Sequence, residues 1–263
     1  MKTTLLDQGR RGIPLTESAI IDIHSHIGRP PFSIPATTAD SIVDVMARTG
    51  VVTTVITAML PVSPRETDRA NESVLEAVRA YPGRLLGYLR VCPASEPVAL
   101  REAERQLDAG FTGLKLHNVN GTPYTHPAYM PFLAAANERR MPVLFHTWGQ
   151  DEEFNQIRKL TARHPALSLL LAHSGSSQEK EYTRVARQHP RIYLELALSR
   201  SPRGLVDRLV EGAGADKVVW GSDVCFINQA HQLGKVLGAT ISEEQKIQVM
   251  STNARLILER VRS

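Results

Sequence analysis

The chain has 263 residues, 42% of them hydrophobic and 22% charged, with a formal net charge of +4. That length suits one α/β barrel of about 250 residues and is enough to bury a large core. The arginines are scattered, with no basic arm and no aromatic-interleaved basic strip, so nucleic acid is not expected as a partner. No stretch approaches the roughly 20 apolar residues of a membrane span, and the N-terminus lacks a signal-peptide core. Two cysteines, Cys92 and Cys225, make no disulfide framework, so a cytoplasmic location is expected.

The first strong element is residues 20–28, Ile-Ile-Asp-Ile-His-Ser-His-Ile-Gly. Read as a strand, it points His24 and His26 to one face, one pleat apart, which is half of a metal site. Prolines 30 and 31 make the next stretch a loop. A helix is expected over 38–50, capped by Thr38 or Asp40 and ended by Gly50. The β-branched run 51–58 reads as a strand. Helical periodicity then covers 66–81, a strand 85–91 and a helix 96–109. The alternation continues with a strand 111–117, a helix 128–140, a strand 142–146, a helix 152–163, a strand 167–173 and a helix 178–188. A strand 191–198, a helix 204–212 and a last strand 217–221 follow. The tail holds a helical stretch near 229–237 and a firm one over 243–260, capped by Ser242.

About eight β/α units, several with continuous apolar strands, predict the α/β class and a single (β/α)8 barrel domain spanning residues 1–263. No Gly-x-Gly-x-x-Gly follows a strand, which disfavours an open doubly wound sheet. In a parallel barrel the C-terminal strand ends surround one mouth, where active sites sit. Those ends carry His24 and His26, Lys115 and His117, His146, His173, Glu195 and Asp223, so five of the nine histidines cluster there. His164 and His189 instead end helices before prolines, where an imidazole meets the last carbonyls.

The ordered set Asp-Ile-His-Ser-His, Gly-Leu-Lys-Leu-His (113–117), Val-Leu-Phe-His-Thr (143–147), Leu-Ala-His-Ser-Gly (171–175) and Trp-Gly-Ser-Asp (220–223) resembles the amidohydrolase superfamily. More closely it resembles the amidohydrolase-2 branch of TIM-barrel hydrolases, lactonases, hydratases and decarboxylases of the aminocarboxymuconate-semialdehyde type. The resemblance implies that His24, His26, His146 and Asp223 bind one metal, with Asp223 also handling the proton of a bound water. It makes His173 an acid/base or, in two-metal relatives, a second ligand beside a carbamylated Lys115. Lys115 as a free amine is instead an anchor for an anionic substrate.

Neutral imidazoles plus one carboxylate suit Zn²⁺ and accept Mn²⁺, Fe²⁺ or Co²⁺. Substrate contacts are expected from Arg29, Arg90, His117 and Trp148. Val224 and Cys225 stand where relatives often carry Trp-Pro. The chain is also shorter than typical decarboxylases of the branch, which tilts the expectation toward a metal-dependent hydrolase of an amide, lactone or ester. A non-oxidative decarboxylase, lyase or cyclase using the same metal is the alternative. The expected partner is a small molecule, with self-association left open.

Overall fold

Apolar inner faces and β-branched strands lay down a ring of eight parallel strands, hydrogen-bonded in sequence order. They are β1 (Ile20–Ile27), β2 (Val51–Ala58), β3 (Leu85–Arg90), β4 (Gly113–Leu116), β5 (Pro142–His146), β6 (Ser168–Ala172), β7 (Ile192–Glu195) and β8 (Val218–Val219). The structure, a computed structural model, describes residues 3–31, 33–59, 63–92, 97–118 and 121–262. β8 is short, and the ring closes through the segment after it. Ile23 N donates to Trp220 O (3.3 Å), Asp223 N to His24 O (2.7 Å), and Ser25 bridges Val224 in parallel. The result is a nearly closed (β/α)8 barrel.

The helices are α1 (Leu5–Arg10), α2 (Ala39–Thr49), α3 (Pro64–Ala80), α4 (Leu100–Leu107), α5 (Met130–Glu138), α6 (Asp151–Arg163), α7 (Glu179–Gln188), α8 (Leu205–Ala213), α9 (Gln229–Leu237), α10 (Glu243–Ile247) and α11 (Asn253–Glu259). No helix among the described residues is long and apolar enough to cross a membrane. Thr38 caps α2 and Gly50, at φ 85°, ends it; Ser63 caps α3 and Ser242 caps α10.

Two apolar layers hold the ring together. Inside, Ile21, Ile23, Val55, Tyr88, Leu144, Leu170 and Val219 fill the barrel, with Ala254 and Ile257 of α11 packed against them. Outside, alternate strand residues such as Leu89, Leu114, Leu116, Val143 and Leu194 pack under the helices. At about 1.5–3 kcal/mol per buried aliphatic or aromatic side chain, these layers dominate the stability. The polar residues at the mouth are therefore free to serve chemistry.

Besides strands shorter than expected at β7 (expected over 191–198) and β8 (217–221), and a helix α5 shorter than the expected 128–140, three elements depart from the sequence expectation. α1 was not expected; a capping box between Thr4 and Asp7 starts it, and Leu5 buries against the body. The helix expected over 96–109 is observed as α4, eight residues long, and Glu96 lies outside the described residues. The tail helix is broken by a π-turn at Gln248–Thr252 between α10 and α11. Just after that turn, Asn253 Nδ2 donates to Ala215 O (2.7 Å) and Val218 O (2.8 Å), which ties the tail to the short β8.

Candidate metal centre and active site

A register shift in β1 between Asp22 and Ser25 sets up the site. Ile21 and Ile23 fill the inner core. Asp22 instead turns to Gln229 of α9, whose Nε2 donates to its carboxylate at 2.9 Å. Beyond the shift, His24 and His26 both reach Asp223: His24 Nε2 lies 3.4 Å and His26 Nε2 3.1 Å from Asp223 Oδ1. One ligand atom from each of these three buried residues falls within 4.8 Å of the others.

Glu195 at the end of β7 fixes the orientation of His24. Its Oε2 accepts from His24 Nδ1 at 3.1 Å and from the His173 backbone N–H at 3.3 Å, while Oε1 accepts from Ala197 N at 2.7 Å. With Nδ1 protonated toward Glu195, Nε2 presents its lone pair to the cluster; Lys115 Nζ stands 3.1 Å from it. Gly221 makes this approach feasible, because a Cβ there would meet Glu195 Oε1 at 2.4 Å and the His24 Cβ at 2.6 Å.

A second histidine chain runs alongside. His173 Nδ1 donates to Ala197 O at 2.5 Å, so Nε2 is the acceptor for His146 Nδ1 at 3.1 Å. His146 Nε2 is then a buried lone pair with no partner. His146 also stacks on His117, with ring centroids 4.0 Å apart and planes at 22°. Tyr124 donates its hydroxyl to His146 O, and Tyr129 to His117 O at 3.2 Å, which secures both strand ends. His173 and Asp223 both adopt left-handed backbone, at φ 63° and 58°, a strained state for non-glycine residues that is common at functional sites.

The electrostatics suit a metal. Burial, reinforced by Lys115, holds His24 well below its ordinary pKa. Burial also lowers His26 and His173 against the pull of Asp223, lowers His146, and takes His117 to about 2. Neutral imidazoles are the ligating form. Burial would raise the Asp223 carboxyl, but the surrounding His24, His26 and His173 outweigh it and keep the group well below the usual carboxylate range. Burial lowers Lys115 to about 7 and raises Glu195. Two imidazole nitrogens and a carboxylate oxygen on one point, an oriented His24 and an unpartnered His146 Nε2 fit a divalent ion.

Above the cluster opens a cavity of about 440 Å³ lined by His26, His117, His146, Trp148, His173, Leu198, Asp223, Phe226 and Ile227, with Ser176 and Ser199. Trp148, Leu198, Phe226 and Ile227 make much of its lining apolar. Of the residues expected from sequence, His24, His26 and Asp223 converge; His146 and His173 pair beside them; His117 and Trp148 line the cavity. Lys115 and Arg90 are buried at the ends of β4 and β3. Arg29 is exposed on the loop after β1 and does not line the cavity. Cys225 is half-buried and absent from the lining, whereas its neighbours Phe226 and Ile227 form a wall.

The sequence reading assigned no role to two carboxylates that brace the site. Glu195 follows Tyr193 on the inner face of β7, and a charged residue ending an apolar strand was the available signal. Asp22, fully buried, accepts from Ser222 N and Oγ, Gln229 Nε2 and His24 N, and so pins β1 to the segment carrying Asp223. Its place inside Asp-Ile-His-Ser-His was visible, but its partners were not.

Known proteins with this architecture include enzymes of two chemistries. The γ-resorcylate decarboxylase of Rhizobium radiobacter is 22% identical over 247 residues, covering 73% of this chain and 75% of that protein. The solved dihydroxybenzoic acid decarboxylase of Polaromonas, with bound manganese and the inhibitor 2-nitroresorcinol, superposes with a TM-score of 0.73 at 17% identity, over 93% of this chain and 98% of that one. A probable 2-pyrone-4,6-dicarboxylic acid hydrolase from Acinetobacter baumannii gives a TM-score of 0.69 at 14% identity, over 92% and 99%. At these identities the structural likeness speaks to fold. The profile of the amidohydrolase family, by contrast, matches residues 21–260, nearly the whole barrel with every strand-end motif in order, and this chain belongs to that family, in its amidohydrolase-2 branch.

Proposed function

We propose that this protein is a metal-dependent, non-oxidative decarboxylase of a small carboxylated ring compound. The observation that carries the reading is the buried corner of His24, His26 and Asp223 at a cavity that Trp148, Leu198, Phe226 and Ile227 also line. A ring fits against Trp148, Phe226, Ile227 and Leu198 while its acidic edge points to the floor. Decarboxylated relatives' substrates and the manganese of the Polaromonas enzyme support the same choice over hydrolysis, the first expectation from sequence.

His24, His26 and Asp223 would hold the ion, Mn²⁺ or Zn²⁺, with His146 Nε2 in reserve beside them. When bound, the ion supplies a positive charge that binds and polarises anionic oxygens of the substrate. The C–C bond to the carboxylate breaks, CO₂ leaves, and the electron pair stays on the ring carbon, which takes a proton. His173 is placed to carry that proton. Its Nδ1–H is fixed on Ala197 O, so Nε2, which accepts from His146 Nδ1, is the nitrogen that gains and loses it. The apolar walls exclude water and favour release of uncharged CO₂ over capture of a hydrolytic water.

The test is a manganese-loaded preparation offered hydroxylated benzoic acids alongside esters, lactones and amides. CO₂ release that disappears in His173→Ala, with metal content unchanged, supports the reading. Cleavage of an ester, lactone or amide without CO₂ release from any acid would replace it with the hydrolase reading.

A further inference from the structure

A second cavity, of about 270 Å³, lies outside the barrel between α1, α2 and α9. Leu6, Leu15, Leu233 and Leu237 make it largely apolar, and Ile13, which also lines it, is 39% exposed. Among the described residues its only charged lining groups are Arg10 and Arg48, each in the last turn of its helix. Neither forms an ion pair among the described residues. An apolar pocket with two guanidinium groups and no carboxylate in its lining is complementary to a small acid with an apolar body.

This cavity touches the scaffold of the metal corner. Thr49 lines it, and the Thr49 hydroxyl stands 2.6 Å from Gln229 Oε1 and 2.9 Å from Val45 O of its own helix. One hydroxyl proton serves the two acceptors, so a small rotation exchanges one partner for the other. Gln229 opens α9, and its Nε2 donates to Asp22 at 2.9 Å. Asp22 in turn accepts from Ser222 N at 2.9 Å and His24 N at 3.2 Å. Three polar side chains therefore join the cavity to His24 and to the residue preceding Asp223. α9 also follows closely on Phe226 and Ile227, which line the active-site cavity.

We propose that this outer cavity is a regulatory site for a small acid with an apolar body, whose binding tightens the metal centre through Thr49, Gln229 and Asp22. A ligand that fills the gap between α2 and α9 holds the Thr49 hydroxyl on Gln229. Gln229 then keeps its amide on Asp22, and β1 keeps the pose in which His24 meets Asp223. This rests on the reading of His24, His26 and Asp223 as a metal site, but not on the reaction catalysed there.

Octanoate is the probe. Calorimetric titration into the full chain should show a site that disappears in Gly234→Leu, because a Cβ at Gly234 meets nothing within 4 Å and a leucine there fills the cavity. The double variant Arg10→Gln, Arg48→Gln should bind octanoate about tenfold more weakly, the worth of one charge-assisted contact. Saturating octanoate should raise Mn²⁺ affinity, read by competition with a fluorescent chelator, by about fivefold or more. Mn²⁺ should raise octanoate affinity by the same factor, since coupling is reciprocal. Thr49→Val should still bind octanoate but lose the coupling. Should Gly234→Leu not fold, as its melting curve reports, Ala230→Leu fills the cavity from the same helix. Octanoate that binds Gly234→Leu undiminished, that leaves wild-type Mn²⁺ affinity unchanged, or that shifts it equally in Gly234→Leu overturns the proposal. Neither readout is CO₂ release, so failure here is distinct from failure of the decarboxylase reading.

Discussion

Replacing Glu195 with glutamine probes how a carboxylate outside the metal cluster controls it. The wild-type carboxylate accepts three hydrogen bonds, two on Oε2 and one on Oε1. A glutamine that keeps the Ala197 N–H on its oxygen must point its NH₂ at His24 Nδ1–H and the His173 N–H. His24 then relieves the clash by moving its proton to Nε2, and the lone pair leaves the metal corner. The lost interaction is a charge-assisted hydrogen bond of about 1.5–3 kcal/mol. That corresponds to a metal affinity about 10–100-fold weaker, the usual range for carboxylates behind ligating histidines. Competition against a fluorescent chelator for Mn²⁺ at neutral pH measures it, with a thermal melt of the metal-free protein as the fold control. Removing a buried charge offsets part of the unsatisfied donors, so the metal-free fold should persist. A glutamine variant that binds Mn²⁺ as tightly as wild type would refute the assignment of Glu195 as the group that orients His24.

Alanine at His24 or His26 should strip or severely weaken metal binding while the far-ultraviolet circular dichroism stays native, since the apolar layers carry the stability; full metal occupancy in the double variant would show that the ion sits elsewhere. Lys235 gives a pH-dependent outcome away from the cluster. Burial lowers it to about 8, although its Nζ donates to Leu196 O and Leu198 O. Between pH 8 and its ordinary pKa the unfolded chain binds the proton and the folded one does not, so stability rises with pH there. From pH 8 to about 9.5 the gain is up to about 2 kcal/mol. Urea titrations of wild type and Lys235→Met at the two pH values should show a slope smaller by that amount in the variant, since Lys115, which burial lowers to about 7, contributes its own slope to both proteins.

Much of the barrel was legible because its signals are local. A period of two in Ile20–Ile27 places His24 and His26 on one face, and apolar runs bounded by Gly, Pro and helix caps mark most of the remaining elements. β2, β5 and α9 match their expected bounds to the residue. Other features were hidden because nothing adjacent in sequence announces them. Arg29 and Arg90 look alike as arginines at strand ends, yet one is exposed and the other turned inward, which depends on strand phase and on how the chain leaves β1. With Ile21 and Ile23 inside, alternation turns Asp22 outward to α9 and would carry His24 and His26 with it; the register shift in β1 brings the two histidines to Asp223, a departure that strict alternation does not foretell.

By itself the sequence determined the alternation of strands and helices, the apolar layers, and the histidines and acids that stand at the strand ends. Only the tertiary structure decided which nitrogen of each histidine faces the cluster and which carboxylate holds it there. His24 meets Glu195 across 171 residues and Asp22 meets Ser222 across 200, both where β1 closes against the far end of the chain. Periodicity sets the face of a strand on which a side chain lies. Its partner on another strand is set by closure of the ring, where burial and hydrogen-bond satisfaction select among acids and imidazoles that are equivalent along the chain.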